Sequence, residues 1–363
     1  MNFTRFSRAA VVAVVGAIAL SSCAANEGAA PSASTAPVST LTGTINGSGA
    51  SSQGSAQDAW TAGFQTANQK VTINYAPDGS GAGRKAFIAG GVNFAGSDSA
   101  LSDTELAGTF GSCVAGTKAI DLPIYISPIA VIFNVAGVTK LNLDATTLAG
   151  IFKGAITKWN DPAIVALNPE AKLPAAAITA VHRGDDSGTT KNFADYLSKV
   201  APTVWDKAPA DTFPYPGGEG AQGTAGVVAS VTNGTNTIGY ADASKAGKLG
   251  VAAIKVGSTF VNYTAAAAAA VVEESPLVTG RAANDIAIAI NRTTTDASHY
   301  PLVLVSYLIV CGQYTDVKAG AVVKAYAGYI AGDGQKVAAA KAGSAPLSAA
   351  LAAKVSKAIA EIK

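Results

Sequence analysis

The chain has 363 residues, 49% of them hydrophobic, with 26 Lys and Arg against 24 Asp and Glu; that length suits two domains with buried cores. Residues 1–22 hold Arg5, Arg8 and no acid, so the remainder carries 24 charges of each sign. That balance argues against a broad polyanion-binding surface of the kind nucleic acid needs, so any bound anion must be held by local geometry.

Arg5 and Arg8 precede an apolar run, Ala9 to Leu20, of signal-peptide length and too short to span a bilayer comfortably. Residues 1–22 therefore read as a signal peptide. Leu20-Ser21-Ser22-Cys23 resembles the lipobox of bacterial lipoproteins, in which the cysteine is lipidated and becomes the new N-terminus. An ordinary secretory cleavage site beside an incidental cysteine is the alternative, and either one takes the chain out of the cytoplasm. Residues 23–40, rich in Ala, Ser, Thr and Pro, cannot build a core and read as a flexible tether.

From Leu41 onward strand and helix patterns alternate, which points to an α/β fold. Thr42 to Ile45 reads as a strand, followed by Gly47-Ser48-Gly49-Ala50-Ser51-Ser52 and a helix bearing Ala56, Trp60 and Phe64. Val71 to Tyr75 is a strand, and Asp78-Gly79-Ser80-Gly81-Ala82-Gly83 leads into a helix through Arg84 and Phe87. Val92 to Ala95 ends in Gly96-Ser97-Asp98-Ser99, with a capping box at Ser102 to Glu105. Asp98 thus stands at the carboxyl end of a strand, where open α/β sheets place ligands, although a turn-forming aspartate is the plainer reading.

Leu122 to Asn134 carries two apolar extended runs with Pro123 and Pro128, read as a crossing between lobes. Trp159 belongs in the core, and His182 and His299, the only histidines, read as structural. Ile178 to Val181 is a strand before Arg183-Gly184-Asp185-Asp186-Ser187-Gly188-Thr189-Thr190, and Phe193 and Leu197 share a helix face beyond it. Ser187, Gly188 and Thr189 therefore sit at a helix start, where free amides and the helix dipole favour an anion. Arg183 adds a rigid fork of donors suited to phosphate, though a capped helix with a surface arginine explains the window equally well. Gly217 to Gly220 opens a mobile loop, Ala265 to Ala270 is helical by propensity, and Ile286 to Ile290 fits strand or helix. Leu302 to Val310 is a buried strand, and helices are expected over Asp316–Ile330 and Leu347–Ile362. Cys113 and Cys311 form a disulfide in the simplest reading for an exported chain, with two separate buried thiols as the alternative.

Taken together, Gly47 to Ser51, Gly79-Ser80-Gly81, Phe94 to Asp98 with Leu101-Ser102-Asp103, Lys158 to Asp161 and Arg183 to Thr189 occur in a familiar order and spacing. They resemble the phosphate-binding proteins of bacterial ABC phosphate importers, over a stretch running from about Leu41 to the C-terminus. The resemblance implies a two-lobed periplasmic-binding-protein fold of type II, a Venus flytrap with two hinge crossings and phosphate in the cleft. It implies phosphate ligands at Ser51, Ser52, Ser80, Asp98, Arg183, Ser187, Gly188 and Thr189, with Ser52 contributing its backbone amide and Asp185 fixing the Arg183 fork. The family often has Thr-Phe where this chain has Ser51-Ser52, so one ring is missing here. The lobes expected are 41–124 plus 301–363, and 125–300. The partners implied are inorganic phosphate and the transmembrane permease subunits of the importer, with the membrane reached through the lipid on Cys23; no cofactor, metal or nucleic acid is expected.

Physical logic supports the same ligand. An ionised carboxylate is acceptor-only, so Asp98 repels a fully ionised oxyanion but accepts a bond from one that keeps a proton, as phosphate does near neutral pH and sulfate does not. Competing readings are a receptor for sulfate, molybdate or a phosphonate in the same fold, a secreted hydrolase, and a surface antigen. The chain lacks a Gly-x-Ser-x-Gly elbow, metal-ligand spacing of its histidines and a nucleotide-cradling loop at Gly188-Thr189-Thr190-Lys191, which disfavours the hydrolase.

Overall fold

A computed structural model describes residues 39–363, so the expected signal peptide, Cys23 and nearly all of the tether lie outside the described residues. The strands are β1 (Gly43–Gly49), β2 (Val71–Ala76), β3 (Phe94–Ser97), β4 (Ala119–Asn134), β5 (Asn142–Leu143), β6 (Thr179–Arg183), β7 (Glu219–Ala221), β8 (Thr237–Asp242), β9 (Gly250–Val251), β10 (Ala253–Val256), β11 (Thr259–Val261) and β12 (Val303–Cys311). The helices are α1 (Gly54–Ala67), α2 (Ser80–Ile88), α3 (Asp103–Ala107), α4 (Ala145–Lys153), α5 (Pro162–Leu167), α6 (Gly188–Val200), α7 (Gly223–Asn233), α8 (Ala265–Glu273), α9 (Val317–Ala331), α10 (Gly334–Ala342) and α11 (Ala349–Ala360).

Nine strands form one sheet in the order β2-β1-β3-β12-β4-β8-β6-β7, with β9 beside β4, and β11-β10-β5 form a smaller sheet. The 16-residue β4 joins the two halves of the large sheet: Ala119–Pro128 pair with β12 and Ile129–Asn134 with β8. The sequence reads this stretch as two runs broken by prolines, whereas it is one strand. Each proline sits where its missing N–H does least harm. Pro123 lies at the register shift between Ser306 and Tyr307, and Pro128 at the change of partner.

This topology fixes where ligands meet. β12 is antiparallel to both β3 and β4, so β1 and β3 run in the direction of β4 and end near its middle. β8 is antiparallel to the far half of β4, and β6 and β7 run parallel to β8, so these strands also end near that middle. The carboxyl ends of both halves therefore face one crevice.

Each half has its own aromatic core. Trp60 is fully buried, stands edge-on to Tyr125 with centroids 6.2 Å apart, and donates its indole N–H to Gly334 O at 2.8 Å. Across the crevice Phe193 stacks on Tyr240 at 4.2 Å and meets Trp205 edge-on. Trp159 is fully buried, and the capping box at Ser102 is present. Three expectations change. Gly217 and Gly218, both at positive φ, turn the chain, but Glu219–Ala221 then pair with β6 and form β7 instead of a loose loop. Ile286 to Ile290 is neither strand nor helix: Ile286 N donates to Asp121 O, and only an isolated bridge joins Leu277 and Ile288. A helix, α10, stands between the two expected near the C-terminus, capped by Gly343 in the left-handed region. Cys113 and Cys311 are bonded, 198 residues apart in sequence.

Candidate functional site

The crevice is built from helix starts. Ser187 caps α6 by accepting from Thr190 N at 3.2 Å. The amides of Gly188 and Thr189 belong to the first turn and have no intrahelical acceptor. Thr189 Oγ1 donates to Asp98 Oδ2 at 2.8 Å, so the α6 start meets the end of β3. Glycine is required at 188 by this close approach: a Cβ there would lie 2.6 Å from Ser80 Oγ and 2.8 Å from Asp98 Cβ.

Arg183 ends β6 and is buried. Its Nε donates to Asp185 Oδ1 at 2.7 Å and a terminal nitrogen to Asp185 Oδ2, which fixes the plane of the guanidinium. Asp185 Oδ1 also accepts from Gly223 N at 3.0 Å, where α7 begins. Ser51, from the opposite half, accepts from Thr224 N at 2.9 Å and lies 3.0 Å from Thr224 Oγ1. Ser80 opens α2, and its Oγ accepts from Asp98 N at 3.1 Å.

Asp98 lies at the centre, 3% exposed. Its Oδ1 accepts from Ser52 Oγ and Ser306 Oγ, each at 2.6 Å, and its backbone carbonyl accepts from Asn192 Nδ2 at 2.6 Å. Burial raises its carboxyl above the usual range, against the hydroxyls of Ser306, Ser52 and Thr189 and the charge of Arg183. Ser51, Ser52, Ser80, Asp98, Gly188 and Thr189 thus form one contiguous cluster, and Arg183 with Asp185 joins it through Gly223 and Thr224. Ser187 acts here through its cap.

Sequence reasoning passed over Gly223 and Thr224, although Gly220-Ala221-Gln222-Gly223-Thr224 is a further glycine-rich turn between strand and helix. It also passed over Ser306, the one hydroxyl in the apolar run Leu302 to Val310 apart from Tyr307. Asn192 and Arg292 carried no local signal. Arg292 donates to Asn192 Oδ1 at 2.5 Å and to the carbonyls of Pro301 and Val303, tying α6 to the entry of β12.

The histidines serve structure. His182 stacks on Phe213 at 4.0 Å, and buried His299 bonds Thr294. Among the described residues no cluster of three His, Cys, Asp or Glu could hold a metal, and no helix is long and apolar enough to cross a membrane. A cavity of about 750 Å³ lined by Lys118, Arg281 and Asp285 shares no residue with this cluster.

The chain is similar to known proteins over most of its length. A family model for the PBP superfamily domain matches residues 34–333. Phosphate-binding protein PstS 3 of Mycobacterium leprae is 37% identical over 354 residues, covering 92% of this chain and 93% of that protein. Its namesake from Mycobacterium tuberculosis is 36% identical over 348 residues, covering 92% and 93%. Among solved structures, the high-affinity periplasmic phosphate-binding protein PfluDING, bound with phosphate, superposes with a TM-score of 0.69 at 25% identity. That match covers 86% of this chain and 93% of the other.

Proposed function

The chain belongs to the PBP superfamily, in the family of the PstS phosphate-binding proteins, and from that premise we propose that it captures inorganic phosphate outside the cytoplasm and delivers it to an ABC importer. Its fold is the two-lobed α/β fold of that family. The observation that carries the reading is the convergence of turns from both sheet halves on Asp98, through Thr189 on one side and Ser52 and Ser80 on the other. A small tetrahedral oxyanion needs many donors. The amides of Ser52, Gly188 and Thr189, the hydroxyls of Ser51, Ser80 and Ser187, and the Arg183 fork would supply them. Asp98 would then accept the proton that phosphate retains near neutral pH, and sulfate, lacking one, would meet a carboxylate it cannot pair with.

In this reading residues 41–124 with 301–363 form one lobe and 125–300 the other, and the anion bridges them and favours closure. The stretch Arg281 to Ile288, in the second lobe by sequence, hydrogen-bonds Leu101, Asp121 and Tyr307 of the first. Residues 1–22 direct export, Cys23 carries the lipid, and 24–40 tether the lobes to the outer face of the membrane. A Cys23→Ser chain should leave the membrane fraction; retention there counts against the anchor. The protein is a binding protein with no reaction assigned to it.

Calorimetric titration with phosphate, sulfate and molybdate tests the ligand. Phosphate should give heat and sulfate little, Arg183→Ala should lose the phosphate heat, and Asp98→Asn should narrow the gap between phosphate and sulfate. Undiminished phosphate binding by Arg183→Ala would sink the site.

A further inference from the structure

Behind Asp98 runs a buried file of neutral side chains that phosphate does not touch in this reading. Gln53, Ser306 and Tyr326 are fully buried, and Gln57 nearly so. Gln53 Nε2 lies 3.0 Å from Tyr307 O and 2.6 Å from Ser306 Oγ. A backbone carbonyl only accepts, so the atom facing it must be the amide nitrogen, and the orientation of Gln53 is settled. Its second hydrogen then points at Ser306 Oγ, which must accept. The single Ser306 proton is left with one partner, Asp98 Oδ1, at 2.6 Å. The other end is closed in the same sense: Gln57 Nε2 donates to Gln53 Oε1 at 2.8 Å, and Tyr326 OH donates to Gln57 Oε1 at 2.9 Å.

We propose that Ser306, oriented by Gln53, is a positioning residue that holds Asp98 as an acceptor toward the bound anion and so sets the pH below which the site admits an oxyanion with no proton, such as sulfate. The assignment rests on the phosphate reading above. Ser52 and Ser306 occupy Oδ1, Thr189 takes one direction of Oδ2, and the remaining Oδ2 direction is left for the proton of the anion. A neutral Asp98 would donate there instead, and sulfate would then fit. Burial favours the neutral form and the three hydroxyls with Arg183 oppose it, so losing one hydroxyl moves the balance toward neutral.

The charged and titratable groups around Asp98 come from several elements: Arg183 on β6, Asp242 on β8, Tyr75 on β2, Lys191, Asp195 and Lys199 on α6, and Arg292 and Tyr307 beside the same small cavity. None of them is altered by a change at Ser306.

The test is sulfate and phosphate titration of the intact protein between about pH 4.5 and 8. In Ser306→Ala the pH midpoint for sulfate uptake should rise by roughly one to two units. Ser306→Thr, which keeps the hydroxyl, should restore it. Gln53→Glu reverses the orientation, taking the Ser306 proton for itself, and should raise the midpoint even if Ser306→Ala fails to fold. An unmoved midpoint in a folded Ser306→Ala or Gln53→Glu protein that still takes phosphate overturns this assignment alone. A wild-type protein that takes no phosphate brings down both.

Discussion

Asp242 ends β8 opposite Ile129, at the middle of β4, and is fully buried. Burial pushes its carboxyl up to about 6, even with Ser244 N donating at 2.9 Å and Tyr125 OH at 3.1 Å. An unfolded aspartate titrates near 3.9, so between roughly pH 4 and 6 the folded chain holds a proton that the unfolded chain has lost. Stability then falls as pH rises through that window, by about 3 kcal/mol if Asp242 acted alone. Asp242→Asn should therefore be more stable than wild type at pH 7, by roughly 1–3 kcal/mol, and no more stable below about pH 4. Urea denaturation at both values measures this, and equal stability at pH 7 would contradict it.

At the scale of elements, α2 carries two cations that reach the opposite half, and their surroundings separate them. Arg84 is buried: its Nε donates to Glu105 at 2.9 Å, Nη1 to Ser97 at 3.0 Å, and Nη2 to Asp211 across the crevice at 2.5 Å. Lys85 meets Asp186 at 2.6 Å with its side chain 74% exposed, where water and salt screen the pair. If the two lobes close over the anion as proposed above, the Arg84–Asp211 pair would form only in the closed state and stabilise it. Arg84→Met should weaken phosphate binding about tenfold, with a larger radius of gyration by X-ray scattering, whereas Lys85→Ala should change affinity by less than about 1 kcal/mol. Equal effects at the two positions would show that burial does not decide closure here.

For the molecule as a whole, the Cys113–Cys311 bond joins the loop before β4 to the end of β12, so it staples the sheet half that carries Asp98. Replacing both cysteines by alanine should lower unfolding stability by about 2–4 kcal/mol. Chemical denaturation of the double variant checks this, and an unchanged transition would mean that the sheet alone closes that end. The sheet also explains how a chain balanced in charge can hold an anion: opposed strand sets end at one crevice, and their helix starts bring amides there without a field over the whole surface.

Local chemistry wrote much of this into the sequence. The cap at Ser187 and the box at Ser102 need only neighbours a few residues away, and they were legible. So were the α/β alternation and the turns carrying Ser51, Ser80, Asp98 and Arg183, because periodicity and turn chemistry are short-range. Tertiary structure alone decided that Ser51 meets Thr224 and that Ser306 meets Asp98, contacts 173 and 208 residues apart. It also joined two apolar runs into β4 and folded Glu219–Ala221 against β6, since pairing depends on which edge is free nearby. Side-chain type marks a residue able to donate. Which acceptor it reaches follows from how distant strands align, and no window of sequence contains that alignment.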